Sequence, residues 1–290
     1  MLLLWLLLFA QSAQNPSPMS DSTRPHPRIA RYEVPGQRIQ LSIGTLYIPS
    51  DFKPDQRHPL IVHFHGAPWL LEHHVRRHAP QAGLITVQLG AGSRGYADAF
   101  AEPDRLARLV EEASARVGEL VKRPVTWDSI ALTSFSAGYG AVRSILQHPA
   151  QYDRIDAVAL ADSLHASYTG DATQPRSTDL PVDDALIQPF MRFAADAAAG
   201  RKRMLITHSE VFPGTYPSTT ETADVLLRHV NVRRRAVLRQ GPVGMQQLSD
   251  ATQGQLRVSG FAGNSAPDHM DHLYAIGENL LAPVMRGRRR

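Results

Sequence analysis

Ser136 stands in the run Thr133-Ser134-Phe135-Ser136-Ala137-Gly138-Tyr139-Gly140, directly behind the apolar stretch Ile130-Ala131-Leu132. Strand, sharp turn and helix in that order make up a G-x-S-x-G nucleophile elbow, here with Ser134 in the place of the first glycine. The helix expected after it, Ala141 to Gln147, stops before Pro149 and leaves Ser136 near its N-terminus. Ala137, Gly138 and Gly140 are the small residues that a strained turn pressed against neighbouring backbone requires. A serine hydroxyl is a poor nucleophile until a base removes its proton, and the base in turn needs a third group to fix its tautomer. The chemistry implied is acyl transfer, and it demands a histidine and a carboxylate downstream.

Both are present in the order that an elbow implies, acid before histidine. His269 and His272 lie in Gly263-Asn264-Ser265-Ala266-Pro267-Asp268-His269-Met270-Asp271-His272, where Asp268 is expected to cap a final helix and hold His269 on its loop side. His269 is the preferred base because a loop gives it reach; His272 is the alternative. For the acid, Asp162 directly follows the strand-like run Ala157 to Ala161, and Glu210 follows Met204 to Ser209. Each sits at a carboxyl end, where open parallel sheets place their sites. Asp162 is preferred for its short side chain and rigid place, with Glu210 kept as the other candidate. An oxyanion needs backbone N–H donors, and His65-Gly66-Ala67-Pro68, after the strand Pro59 to Phe64, is the loop to supply one. Pro68 has no N–H, so the donors are Gly66 or Ala67 together with Ala137.

Elements able to position these groups follow from the patterning. Alternation over Ile39–Ile43 and Thr45–Ile48 predicts an antiparallel pair joined at Gly44. Strands then alternate with helices: a short helix from Trp69 to His78, a strand from Leu84 to Leu89, a helix from Pro103 to about Gly118, and further strands at 129–135, 157–161 and 204–207. That succession is the mark of parallel β-α-β units, α/β in class. The last strand is placed at Leu256–Ser259, with a helix from about His269 to Leu281 after it. Residues 166–200 read as a small cap insertion, and 232–255 as an extra hairpin or helix.

At 290 residues, 43% hydrophobic and 20% charged, the chain suits one large domain, assigned here to 37–286. Met1 to Ala10 is an apolar run followed by small residues, so 1–13 reads as a signal peptide and 14–36 as a Pro- and Ser-rich linker. Export to the periplasm or the extracellular space is the expectation, with no membrane anchor once the leader is removed; a true start at Met19 would leave the protein in the cytoplasm. The net charge is +4, and the arginines outside Arg233-Arg234-Arg235 and the tail are scattered, which argues against a nucleic-acid partner. There is no cysteine, so a disulfide framework and thiol catalysis are excluded.

The His-Gly loop, the Ser134-to-Gly138 elbow, an acid after a later strand and a late histidine, in this order over 37 to 285, resemble the α/β-hydrolase family. The resemblance implies an eight-stranded, mostly parallel sheet with helices on both faces. It also implies a covalent acyl-enzyme mechanism on a small or polymeric acyl substrate, as in serine esterases and lipases, with no cofactor and no metal. Two other readings compete. A hydrolase-fold binding protein without turnover would lack an acid within reach of the histidine. A metal-dependent hydrolase would use the region of His63 and His65, where Glu72, His73, His74 and His78 follow and His74 and His78 have helical i, i+4 spacing, but a clear carboxylate ligand motif is missing.

Overall fold

The computed structural model describes residues 21–286, except 23, 57 and 170–180. The expected leader, residues 1–13, lies outside the described residues. Ten strands form one sheet: β1 Gly36–Gln40, β2 Thr45–Pro49, β3 Pro59–Phe64, β4 Gly83–Val87, β5 Ser129–Phe135, β6 Ile155–Ala161, β7 Arg203–His208, β8 Arg235–Gln240, β9 Gln246–Gln253 and β10 Leu256–Phe261. Their order is β1-β2-β4-β3-β5-β6-β7-β10-β9-β8. The six central strands from β4 to β10 run parallel, and antiparallel pairs close both edges. The β8–β9 hairpin, from the stretch whose form the sequence left open, extends the expected eight strands to ten.

The central strands are buried on both faces, as their unbroken Val, Ile, Leu and Ala content requires. Parallel neighbours need crossovers, and helices supply them: α1 Pro68–His78, α2 Ser93–Ala99, α3 Arg105–Val121, α4 Tyr139–Gln147, α5 Pro149–Arg154, α6 Asp184–Ala198 and α7 Thr219–His229, while α8 Ala266–Tyr274 and α9 Ala282–Arg286 follow the last strand. The stripe Leu106, Leu109, Val110, Ala113 and Val117 fixes α3 to one face of the sheet. Each large side chain of that stripe contributes about 1.5–3 kcal/mol by leaving water. On the other face, Leu70, Leu71 and Val75 of α1 pack with Leu273, Ile276, Leu280 and Leu281 from the end of the chain.

Residues 166–200 differ from a simple cap. Their helical half, α6, buries Ile187, Phe190 and Phe193 in the core and forms the crossover from β6 to β7. The expected linker also differs in its described part, because Arg24, His26 and Arg28 bond to Asp268 and Asp271 on α8. Helix α2 has no counterpart in the sequence reading, since its seven residues include a glycine and only Tyr96 is buried.

Candidate active site

Parallel register puts the carboxyl ends of β3, β5, β6, β7 and β10 along one edge of the sheet. Phe64 pairs with Ser134, Phe135 with Ala161, and Ala161 with Thr207. Ser136 and Asp162 therefore leave adjacent strands at the same level, each one residue beyond the paired Phe135 and Ala161.

Ser136 has φ +47°, in the left-handed region that non-glycine residues avoid without compensation. The compensation is visible. The Ser163 hydroxyl donates to the Ser136 carbonyl at 2.7 Å and accepts from the Ser134 hydroxyl, also at 2.7 Å. Ser134, which stands where the motif has glycine, is fully buried and anchors this chain of bonds. Gly138 has to be glycine on grounds of space, because a Cβ there would stand 2.1 Å from the Phe64 carbonyl oxygen. At Gly140 it would meet the Ser93 carbonyl at 2.2 Å.

His269 and Asp162 meet. The His269 Nδ1–H donates to Asp162 Oδ2 at 2.7 Å, which leaves Nε2 as the nitrogen with a free lone pair. His269 lies in the first turn of α8 and not on the loop before it. The N-cap is Ser265 and not Asp268; Asp268 is at the third helical position and completes a capping box with Ser265. His272, one turn on, is buried and bonds Thr207 through Nδ1 at 2.8 Å, with its ring edge-on to Phe261. Glu210 is exposed, and its backbone N–H donates to the Gly263 carbonyl.

Asp162 is 1% exposed, with φ +46°. Its carboxylate accepts from the Ser209 N–H at 3.0 Å, the Ser209 hydroxyl at 2.6 Å, the Thr219 hydroxyl and His269. Burial by itself pushes an aspartate up. The charges of His272 and His269 and the bonds from His269 and Ser209 outweigh it and hold Asp162 well below the usual carboxylate range. Burial lowers His272 in turn, opposed by the charge of Asp162.

On the other side of Ser136 the chain leaves β3 with His65 at φ +66° and Gly66 at φ +129°. A Cβ on Gly66 would stand 2.9 Å from Leu273 of α8, so the loop is packed against the helix that carries His269. His63 holds the turn. Its Nε2–H donates to the His65 carbonyl at 2.6 Å and its Nδ1 accepts from the Thr133 hydroxyl at 2.8 Å. Burial drives His63 down to about 3, which keeps it neutral in this role. The His65 carbonyl is committed to His63, and Gly66 and Ala67 lie at the start of α1, the positive end of its dipole. Three rings tie the parts together: Phe135 stacks on His65 at 6.0 Å and on His269 at 4.5 Å between centroids.

Both ring nitrogens of His63 are occupied by protein partners, and His65 Nδ1 pairs with the Tyr96 hydroxyl at 3.0 Å. That leaves this pair poorly suited to ligate a metal. Sequence reasoning missed Ser163, Ser209, Thr219 and Phe135 as supports. Serine and threonine in loops carry no local signal of the distant group they bond, although Ser163 directly follows Asp162. Tyr139, three residues after Ser136, begins a series of rings: it lies tilted against His165 with centroids 5.3 Å apart, and His165 meets the exposed Tyr216 edge-to-face at 5.7 Å.

No protein-family model matches the sequence, and no curated protein does. Solved structures do. An enterobactin esterase from Shigella flexneri superposes with a TM-score of 0.52 at 12% identity, covering 88% of this chain and 60% of that one. A feruloyl esterase module from Clostridium thermocellum gives 0.47 at 9% identity, covering 88% and 90%. This chain spans about 60% of the length of the Shigella protein. At this identity the likeness to the Shigella protein shows architecture alone, and with the strand order above it identifies the α/β-hydrolase fold.

Proposed function

We propose that this α/β-hydrolase-fold protein is a serine hydrolase that cleaves carboxylic esters or related acyl bonds. The observation that carries the reading is the 2.7 Å bond from His269 Nδ1 to the buried Asp162, made over the ring of Phe135, the residue before a left-handed Ser136. In this reading His269 Nε2 takes the Ser136 proton as Oγ attacks the substrate carbonyl, and then delivers it to the leaving alcohol. Asp162 stays ionised throughout, holds the ring in the Nδ1–H tautomer and stabilises the imidazolium. The N–H groups of Gly66 or Ala67 and of Ala137 receive the negative charge that develops on the carbonyl oxygen. Water then repeats the sequence on the acyl-enzyme and regenerates Ser136.

The Shigella neighbour is described as an esterase, which favours an ester over an amide as the bond cleaved. The rings of Tyr139, His165 and Tyr216 offer an apolar and aromatic wall for the substrate. A binding protein without turnover would gain nothing from a buried carboxylate held by four donors against a histidine beside a strained serine, so the hydrolase reading is preferred.

Hydrolysis of p-nitrophenyl esters of graded acyl length tests it. Wild-type protein should turn over at least one ester, and Ser136→Ala should lower kcat by roughly 10⁴ or more with unchanged folding. Equal rates for the two proteins would remove Ser136 from the chemistry.

A further inference from the structure

We propose that His74, His78 and Glu278 form a binding site for one divalent transition-metal ion of the zinc class, clamping the end of the chain to α1. The proposal does not depend on the hydrolase reading, since these residues lie apart from Ser136, at the far end of α1. His74 and His78 share one face of the helix at i, i+4 spacing, with their rings 6.1 Å apart. The carboxylate nearest them in sequence, Glu72, is taken by Arg38. Folding supplies another: the turn Gly277–Leu281 is π-helical and packs on α1, bringing Glu278 Oε1 to 3.5 Å from His78 Nε2 and Oε2 to 4.0 Å from His74 Nδ1. Single π turns inside helical segments recur at functional sites. Gly277 makes the approach possible, because a Cβ there would stand 2.3 Å from His74 Nδ1.

All three potential ligand atoms lie within 4.8 Å of one another. Donors around a tetrahedral zinc ion stand about 3.3 Å apart, so modest side-chain rotation completes the geometry. The decisive feature is what the histidines lack. His74 is 1% exposed, yet neither ring nitrogen has a hydrogen-bond partner, and His78 Nε2 has none either. Buried polar atoms are almost always satisfied, and exceptions ask for an explanation. An ion pair between a protonated His78 and Glu278 would leave His74 unexplained. The Tyr274 carbonyl lies near the His74 ring. Glu278 is 40% exposed, which gives the ion a path in and leaves room for water as fourth ligand. Two histidines, one carboxylate and a water suit zinc or cobalt better than calcium or magnesium.

The test is calorimetric titration of zinc sulfate into full-length protein, freed of any affinity tag and stripped with chelator. One equivalent should bind. Zinc at 100 times its Kd should raise Tm by about 5 °C, and cobalt should give the visible spectrum of a four-coordinate site. His78→Ala and Glu278→Gln, both at partly exposed positions, should each weaken zinc by roughly 100-fold or more while leaving the circular dichroism unchanged. His74→Ala, at a buried position, is judged only if it folds. Absence of saturable binding, or binding of equal strength in the His78 and Glu278 variants, would overturn the proposal.

Discussion

Asp162→Asn separates the orienting role of this side chain from its structural one. The carboxylate accepts four hydrogen bonds, from the Ser209 N–H, the Ser209 hydroxyl, the Thr219 hydroxyl and His269 Nδ1–H. An amide has one accepting oxygen and one donating nitrogen. The oxygen stays at the Oδ1 place, with the Ser209 N–H and the Thr219 hydroxyl, because a buried backbone donor cannot be left unpaired. The amide nitrogen then faces His269 and donates to Nδ1. That moves the imidazole proton to Nε2, the atom that has to accept from Ser136. A tautomer error of this kind lowers kcat by about 10⁴, equivalent to about 5 kcal/mol of barrier. The folding cost is smaller, about 1–3 kcal/mol for the bond lost from the Ser209 hydroxyl at the Oδ2 place, or a fall in Tm of about 2–10 °C. Ester hydrolysis and thermal unfolding of the same preparation give both quantities. Glu210→Gln is the matched control, and as an exposed residue it should change kcat by less than about 2-fold. A folded Asp162→Asn protein within 10-fold of wild type, or a large loss in Glu210→Gln, would refute the assignment of the acid.

Two further outcomes rest on groups around the site. Asp271 is fully buried and paired with Arg24, His26 and Arg28 of the N-terminal arm, so Arg24→Met with Arg28→Met leaves its charge covered but largely unmatched. Stability should fall by about 3 kcal/mol, read as a drop in Tm of at least about 6 °C, and Asp271→Asn in that background should recover part of it; no drop would mean that the arm is incidental. Burial holds His63 at about 3 and His74 and His208 at about 4. Each has a folded value below its unfolded one, so the unfolded chain binds protons that the fold refuses, and stability decreases as pH falls from about 6.5 through 4. Three such groups give a slope of at most about 4 kcal/mol per pH unit. Urea titrations at pH 7, 6 and 5 measure it, and a flat stability over that range would contradict the neutral, buried state of these rings.

The elbow was legible because its information is local: strand, turn and small residues occupy one stretch of chain. The order of acid and histidine was legible because parallel strands deliver their ends to one edge. The preference for Asp162 over Glu210 rested on its short side chain directly after a strand; its donors Ser209 and Thr219, just after β7 and at the start of α7, have no sequence spacing in common with it and were not legible. The capping of α8 was misread by three residues, since Ser265 and Asp268 both suit an N-cap and only their mutual bonding decides. The cap expected over 166–200 was misjudged in part because an apolar helix with a proline reads equally as a lid or as a crossover; Phe190 and Phe193 put it in the core. Glu278 was invisible as a partner of His74 and His78, because a contact made through a π-helical turn far along the chain leaves no periodic trace.

The most direct measurement of the central claim is covalent capture of the nucleophile. Folded wild-type protein incubated with a fluorophosphonate should gain the mass of one phosphonyl group, and peptide mapping should place it on Ser136, while Ser136→Ala gains none. A folded protein that takes up no label, or carries it on a different residue, would contradict Ser136 as the nucleophile.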